Sequence, residues 1–238
     1  MFDRAIREVL LDAPKIIKNS SLNQQEKKEL MAKGLNHFQA FSVIQKQHLL
    51  FRYGKLLSSL KKRMNRFGCE RFLEIGCGTG NTILFLKKKE LVKQITGVDI
   101  NPNRINIAKK RLDIHGLKNC DFIHRDFLKF EPKNSFDFIY SLAAFEAFKP
   151  KSKSIEKLID VASPRCQIVL DMANPWFFKH KAKYINREDI IFMEQFLRKN
   201  NFEVKTEFYS FFSSFDLLNL TIKAKQLHKT IRLIGIRD

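Results

Sequence analysis

Residues 72–81 read FLEIGCGTGN. A short apolar run carries one acid, Glu74, and is followed by glycines at alternate positions, Gly76, Gly78 and Gly80. The whole chain of 238 residues has only nine glycines, so three within five residues mark a turn with special backbone demands. Glycine reaches left-handed conformations without penalty and lets another group approach the main chain closely. The spacing excludes two common phosphate cradles. In the dinucleotide pattern G-x-G-x-x-G, the third glycine would fall at Asn81 or at Ile83. A P-loop would need Gly-Lys-Ser/Thr, whereas Gly80 is followed by Asn81 and Thr82.

Outward from this turn, the chain alternates between short apolar runs and helical patterns. RFLEI, KQITGVDI, CDFIHRD, SFDFIYSLA and RCQIVLDMA are strand-like, and FEVKTEFYSFF and KTIRLIGIRD add two more near the C-terminus. Between them, NTILFLKKKEL, NRINIAKKRLDIH and SKSIEKLIDVA carry helical periodicity. Asn101-Pro102 supplies a cap with proline at the first helical position, and Asn186 caps a helix with Glu188 and Asp189 in its first turn. The alternation predicts an α/β fold with a doubly wound, mostly parallel seven-stranded sheet. Residues 213–228 are ambiguous.

Residues 1–67 contain no convincing strand. Phe2, Ile6, Val9, Leu10 and Ala13 recur at helical spacing, with Pro14 as an interruption. Ser21 and Gln24 resemble a capping box, and Gly34 a helix stop. Phe38, Phe41 and Ile44, then Leu49 through Phe67, fit one or two amphipathic helices with Gly54 as a possible break. The expected organisation is a helical N-terminal extension, 1–67, packed on a main domain, 68–238.

The run Glu74 to Gly80, E-x-G-x-G-x-G, resembles the loop of the class I S-adenosylmethionine-dependent methyltransferases, and the resemblance extends over about residues 70 to 238. It implies a cofactor site built from Glu74, Gly76, Cys77, Gly78, Thr79 and Gly80. It further implies that Asp99, at the end of the second strand with Ile100 after it, takes both ribose hydroxyls. A carboxylate suits that task because it accepts from two hydroxyls at once. The acid after the third strand, Asp126, would accept from the adenine amino group, with Phe127 beside it. Ser141 would lie where the methionine end of the cofactor meets the acceptor. S-adenosylmethionine carries a sulfonium, an ammonium and a carboxylate but no phosphate, so nearby acids suit it.

The acceptor is less legible. WFFKHKAKYINREDI, after the fifth strand, resembles a stretch in small-molecule and lipid-type members of the family. There His180 and Tyr184 would face the acceptor, His180 as a base, with Lys181 and Lys183 nearby; a plain surface loop is the alternative. Trp176, Phe177 and Phe178 read as core or lid packing. HLLFRYGKLL, with His48, Phe51 and Arg52, resembles the same set's segment before the first strand. Where members often have Leu-Glu-His, this chain has Phe145-Glu146-Ala147, so a base at that position is absent. The Asn/Asp-Pro-Pro-aromatic sequence of exocyclic-amine methyltransferases is also absent: the place reads Ser141-Leu142-Ala143-Ala144.

The formal charge is +19, and the first 67 residues hold 14 Lys+Arg against 5 Asp+Glu. That excess could hold RNA phosphates or simply be a lysine-rich surface. The expected reaction is methyl transfer to a small-molecule or lipid-like acceptor, with RNA as the alternative acceptor and a non-catalytic cofactor-binding module as a third reading. Four widely spaced cysteines predict reduced thiols and no metal site. No apolar run approaches the roughly 18–20 residues that span a bilayer. The first residues lack a secretory apolar core and cleavage site, which predicts a cytoplasmic protein. Oligomeric state is not readable from the sequence.

Overall fold

The computed structural model describes residues 4–31, 43–173, 175, 184–209 and 230–237. Three helices come first: α1 (Arg4–Lys18), α2 (Gln24–Met31) and α3 (Val43–Phe67). Then follow β1 (Arg71–Ile75), α4 (Asn81–Lys88), β2 (Gln94–Asp99), α5 (Pro102–His115), β3 (Cys120–His124) and β4 (Phe136–Leu142). The chain continues with α6 (Lys151–Asp160), β5 (Ala162–Ala173), α7 (Arg187–Lys199), β6 (Glu203–Tyr209) and β7 (Thr230–Arg237). The seven strands form one sheet in the order β3-β2-β1-β4-β5-β7-β6. All pairings are parallel except those of β7, which runs antiparallel to β5 and β6. This is the doubly wound, mostly parallel sheet expected from the alternation of patterns. The order reverses between β1 and β4, and crevices for ligands open at such a switch point beyond the carboxyl ends of strands.

Strands buried on both faces feed two cores. In β1, Phe72 packs with Val9, Leu57, Leu60, Ile83, Ile105 and Tyr140 on one side. Its neighbours Leu73 and Ile75 pack with Phe127, Ile155, Met193 and Ile231 on the other. Side chains alternate across a strand, so one short run serves both layers. The helical extension thus shares a core with α4 and α5. Polar contacts reinforce it: Lys88 pairs with Glu8 at 2.7 Å, Arg63 with Glu207 at 2.9 Å, and Asn103 donates to Glu26 at 3.1 Å.

Three local expectations are corrected. Helix α1 continues through Pro14 instead of being interrupted by it. An interior proline costs about 3 kcal/mol in hydrogen bonding and sterics, but Val9, Ala13 and Ile17 are each almost wholly buried along the same stripe. Burial of such side chains contributes roughly 1.5–3 kcal/mol for each large one. The capping box of α2 is formed by Asn23 and Glu26, not Ser21 and Gln24. Glu26 N donates to Asn23 Oδ1 at 2.9 Å, and Asn23 N donates to Glu26 Oε2 at 3.0 Å. A carboxylate at the third helical position is the stronger reciprocal acceptor. Helix α3 is unbroken at Gly54, because buried Leu56, Leu57, Leu60 and Met64 outweigh a glycine penalty of about 1 kcal/mol. Gly34, Phe38, Phe41 and residues 213–228 lie outside the described residues. Among the described residues, no helix is long and apolar enough to cross a membrane.

Candidate active site at the carboxyl edge of the sheet

The three glycines of the loop have left-handed φ values, 71° at Gly76, 55° at Gly78 and 80° at Gly80. Their surroundings differ. A Cβ on Gly76 would lie 2.2 Å from the Cβ of Ala144, in the turn after β4, and one on Gly80 would lie 2.5 Å from the Phe122 ring of β3. Those two glycines are required by packing within the protein. A Cβ on Gly78 would meet nothing within 4 Å among the described residues. Open space therefore adjoins the loop at its middle glycine.

The loop is fixed from below. Gly76 N and Cys77 N both donate to Val98 O, at 2.8 and 3.1 Å, and Gly80 N donates to Cys77 O at 3.0 Å. Gly78 N donates to Oδ2 of Asp99 at 2.9 Å. The other oxygen of Asp99 accepts from Asn101 N at 2.8 Å, and the Arg104 guanidinium lies 3.6 Å from Oδ2. Asp99 is thus a buried, well-held carboxylate at the switch-point edge. Two accepted bonds leave lone pairs on both oxygens.

Glu74 sits one strand away and is also buried. Burial pushes its carboxyl up to about 8; a hydrogen bond from Thr82 opposes this and the Asp99 charge adds to it. Its Oε2 is buried and, among the described residues, has no hydrogen-bond partner. An orphaned carboxyl oxygen is costly in a folded core.

The remaining candidates distribute as follows. Ile100 follows Asp99 and is 68% exposed, an apolar side chain on the open side of the edge. Asp126 lies just beyond β3, whose terminal His124 is registered with Asp99, so it reaches the same edge. Its Oδ1 accepts from Leu128 N at 3.0 Å, capping a single turn over Phe127–Lys129. The Phe127 ring is buried edge-on to Phe148 at 5.7 Å, inside the core. The Cys77 side chain is likewise buried, under the loop and against Gly97. Burial, then the charges of Glu74 and Asp99, push its thiol well above the ordinary range. Ser141 is fully buried: its hydroxyl donates to Ile75 O at 3.0 Å and accepts from Phe145 N at 3.1 Å. It holds the ends of β1 and β4 together. The Thr79 side chain is buried in the loop.

On the acceptor side, Tyr184 is exposed, just before the Asn186 cap of α7. His180, Lys181, Lys183 and residues 176–178 lie outside the described residues. His48, Phe51 and Arg52 fall on α3. Glu146, in the turn after β4, accepts from Ala173 N at the end of β5, at 2.5 Å. Buried Lys151 donates to the carbonyls of Glu146 and Phe148 at 2.7 and 2.6 Å and holds that turn. Among the described residues, no three His, Cys, Asp or Glu side chains gather as a metal site.

Sequence reading missed Arg111 of α5. It is fully buried, and its guanidinium donates to the Thr79 carbonyl of the loop and to Asn81 Oδ1 at 2.8 Å. The available signal was an arginine next to Leu112 on the stripe set by Ile105 and Ala108, where an apolar residue is expected.

Comparison with known proteins agrees with this geometry. The model of a family described as "Methyltransferase domain" matches residues 68–229. The trans-aconitate 2-methyltransferase of Escherichia fergusonii is 26% identical over 107 residues, 45% of this chain and 40% of that protein. The Escherichia coli K12 enzyme of the same name is 24% identical over the same shares. The matched stretch thus spans well under half the length of these curated relatives. A plantazolicin methyltransferase in complex with SAH superposes with TM-score 0.62 at 15% identity, covering 98% of this chain and 97% of that one. Magnesium protoporphyrin IX methyltransferase from Synechocystis PCC 6803, with bound SAM, gives TM-score 0.58 at 16% identity over 96% and 98% of the two chains. With the family model covering more than half of the chain and the strand order as described, this chain belongs to the methyltransferase-domain family, the class I S-adenosylmethionine-dependent methyltransferases.

Proposed function

We propose that the protein transfers a methyl group from S-adenosylmethionine to a small-molecule acceptor. The observation that carries this reading is the open space at Gly78, whose N–H is held by the carboxylate of Asp99 at 2.9 Å, with the buried carboxyl of Glu74 on the strand that leads into the loop. In this reading Asp99 receives the ribose hydroxyls, Asp126 the adenine amino group, and Ile100 offers an apolar face to the base. Glu74 supplies negative charge for a cationic cofactor. When bound, S-adenosylmethionine supplies a methyl group already activated on a sulfonium. The residues then have mainly to orient the acceptor and exclude water, since much of the acceleration can come from positioning. A base is needed only if the acceptor atom arrives protonated; His180 is the residue we assign to that task, with Tyr184 at the acceptor.

The acceptor would approach where β4 and β5 end, at Leu142 and Ala173, beside the turn held by Glu146 and Lys151. Support for a small acceptor comes from the relatives, which are named for trans-aconitate, plantazolicin and magnesium protoporphyrin IX. The organisation into a helical extension, 1–67, and a cofactor domain, 68–238, belongs to the same proposal, with the extension as cover for the acceptor.

The test is calorimetry with S-adenosylmethionine and S-adenosylhomocysteine. Binding at one site per chain is expected, and no binding by the wild-type protein rejects the reading. An RNA acceptor would instead give retention of RNA that falls steeply with salt.

A further inference from the structure

We propose that Arg111 is a positioning residue for the cofactor loop, and that through it helix α1 is part of the cofactor site. The inference rests on the reading of Gly76–Gly80 as that loop. Arg111 lies on α5, yet its guanidinium joins two other elements. One side donates to Thr79 O and to Asn81 Oδ1, the start of α4. The other side donates to Val9 O at 2.5 Å and pairs with Asp12 Oδ1 at 2.6 Å, both in α1. The second oxygen of Asp12 lies 2.5 Å from His115 Nε2. The chain therefore connects α1, the arginine and the peptide between Thr79 and Gly80.

Thr79 stands between two left-handed glycines, Gly78 and Gly80. Such a stretch has many alternatives open to it, and the orientation of its peptide planes must be imposed from outside. Asp99 holds the loop at Gly78 N, and Arg111 holds it at Thr79 O. Packing alone does not call for an arginine here. A buried ion pair is typically replaceable by apolar residues of similar volume at little cost or with a gain in stability. What the guanidinium adds is directional: donors in one plane fix two carbonyls and an amide oxygen relative to one another, with the Asp12 carboxylate as counter-charge beside them.

The coupling is reciprocal by thermodynamic necessity. If α1 helps hold the loop for the cofactor, the cofactor must stabilise the docking of α1. Two measurements on the full chain test this: the dissociation constant for S-adenosylhomocysteine by calorimetry, and amide exchange of residues 4–18 with and without that ligand. Arg111→Met is expected to weaken binding by tenfold or more, and Arg111→Lys by less, because one ammonium can serve only part of the set. Asp12→Asn, which keeps the size of the side chain and removes its charge, is expected to weaken binding several-fold and is decisive if Arg111→Met does not fold. In the wild type, ligand should slow exchange in α1, and in the Asp12 and Arg111 variants it should do so much less. If the wild type binds with dissociation constants for Arg111→Lys and Asp12→Asn within twofold of its own, and ligand leaves α1 exchange unchanged, the role of Arg111 is overturned while the cofactor reading stands. If the wild type does not bind, both fall together.

Discussion

The backbone N–H of Gly78 donates to Oδ2 of Asp99 at 2.9 Å, so the glycine loop after β1 and the acid ending β2 form one unit. Asp99 therefore shapes the loop as well as facing the edge. Replacing it with alanine removes acceptors for Gly78 and Asn101 and the charge beside Arg104. Hydrogen bonds to charged groups contribute about 1.5–3 kcal/mol each. Asp99→Ala should weaken S-adenosylhomocysteine binding by about 100-fold, measured by calorimetry, whereas Asp99→Asn, which keeps one acceptor, should lose less.

The loop glycines should separate by phenotype. Gly78→Ala puts a Cβ into open space at a left-handed φ, a strain of roughly 1–2 kcal/mol. That protein should fold with a modest loss of stability and bind cofactor at least tenfold more weakly. Gly76→Ala drives a Cβ to 2.2 Å from Ala144 and should lose about 3 kcal/mol or more in urea unfolding. Equal cofactor affinity in wild type and Gly78→Ala would place the ligand elsewhere.

Glu74 gives a pH signature. Its carboxyl is raised from 4.5 to about 8 in the fold, chiefly by burial. The native state then holds a proton that the unfolded chain releases above pH 4.5. The sign follows: the group's contribution to stability is fully present below 4.5 and is lost progressively as pH rises to about 8. Stability of the wild type relative to Glu74→Gln should fall across that window in urea titrations. Binding a cationic cofactor favours the ionised form, so below pH 8 binding should expel a fraction of a proton. Calorimetry at pH 6.5 in buffers of different ionisation enthalpy reads that fraction directly, and Glu74→Gln should abolish it.

Sequence and structure agree where the signal is local. Short runs such as RFLEI and QITGVD place β-branched or large apolar residues between turn signals, and their alternation with helical patterns indicated the sheet. Three glycines in alternation announced the loop, but glycine alone cannot reveal what comes close to it. At Gly76 and Gly80 it is Ala144 and Phe122 of the protein itself, and only Gly78 opens outward. Arg111 was hidden for a different reason: the loop it holds lies about thirty residues away and its other partners lie in α1. Pairings set by tertiary distance leave no periodic trace. The capping of α2 slipped by two residues because Ser21 and Asn23 offer equivalent side-chain acceptors, and Glu26 decided between them.

The buried pair Asp171–Arg232 shows the same limit and carries the last prediction. The two residues face each other directly across β5 and β7. Arg232 donates to both oxygens of Asp171, at 2.6 and 2.8 Å, and to Ser59 Oγ of α3 at 2.7 Å. Tyr140 O–H adds a bond to Asp171 at 3.0 Å. Three strands and the last helix of the extension thus meet in one polar cluster inside an apolar core. Arg232→Met strands the carboxylate with Tyr140 as its remaining donor among these contacts, and breaking such a pair costs about 3–5 kcal/mol. The double variant Asp171→Leu/Arg232→Met removes both charges and should recover most of that loss. Urea unfolding of the two variants measures the difference; equal destabilisation would mean that the stranded charge is not the cause.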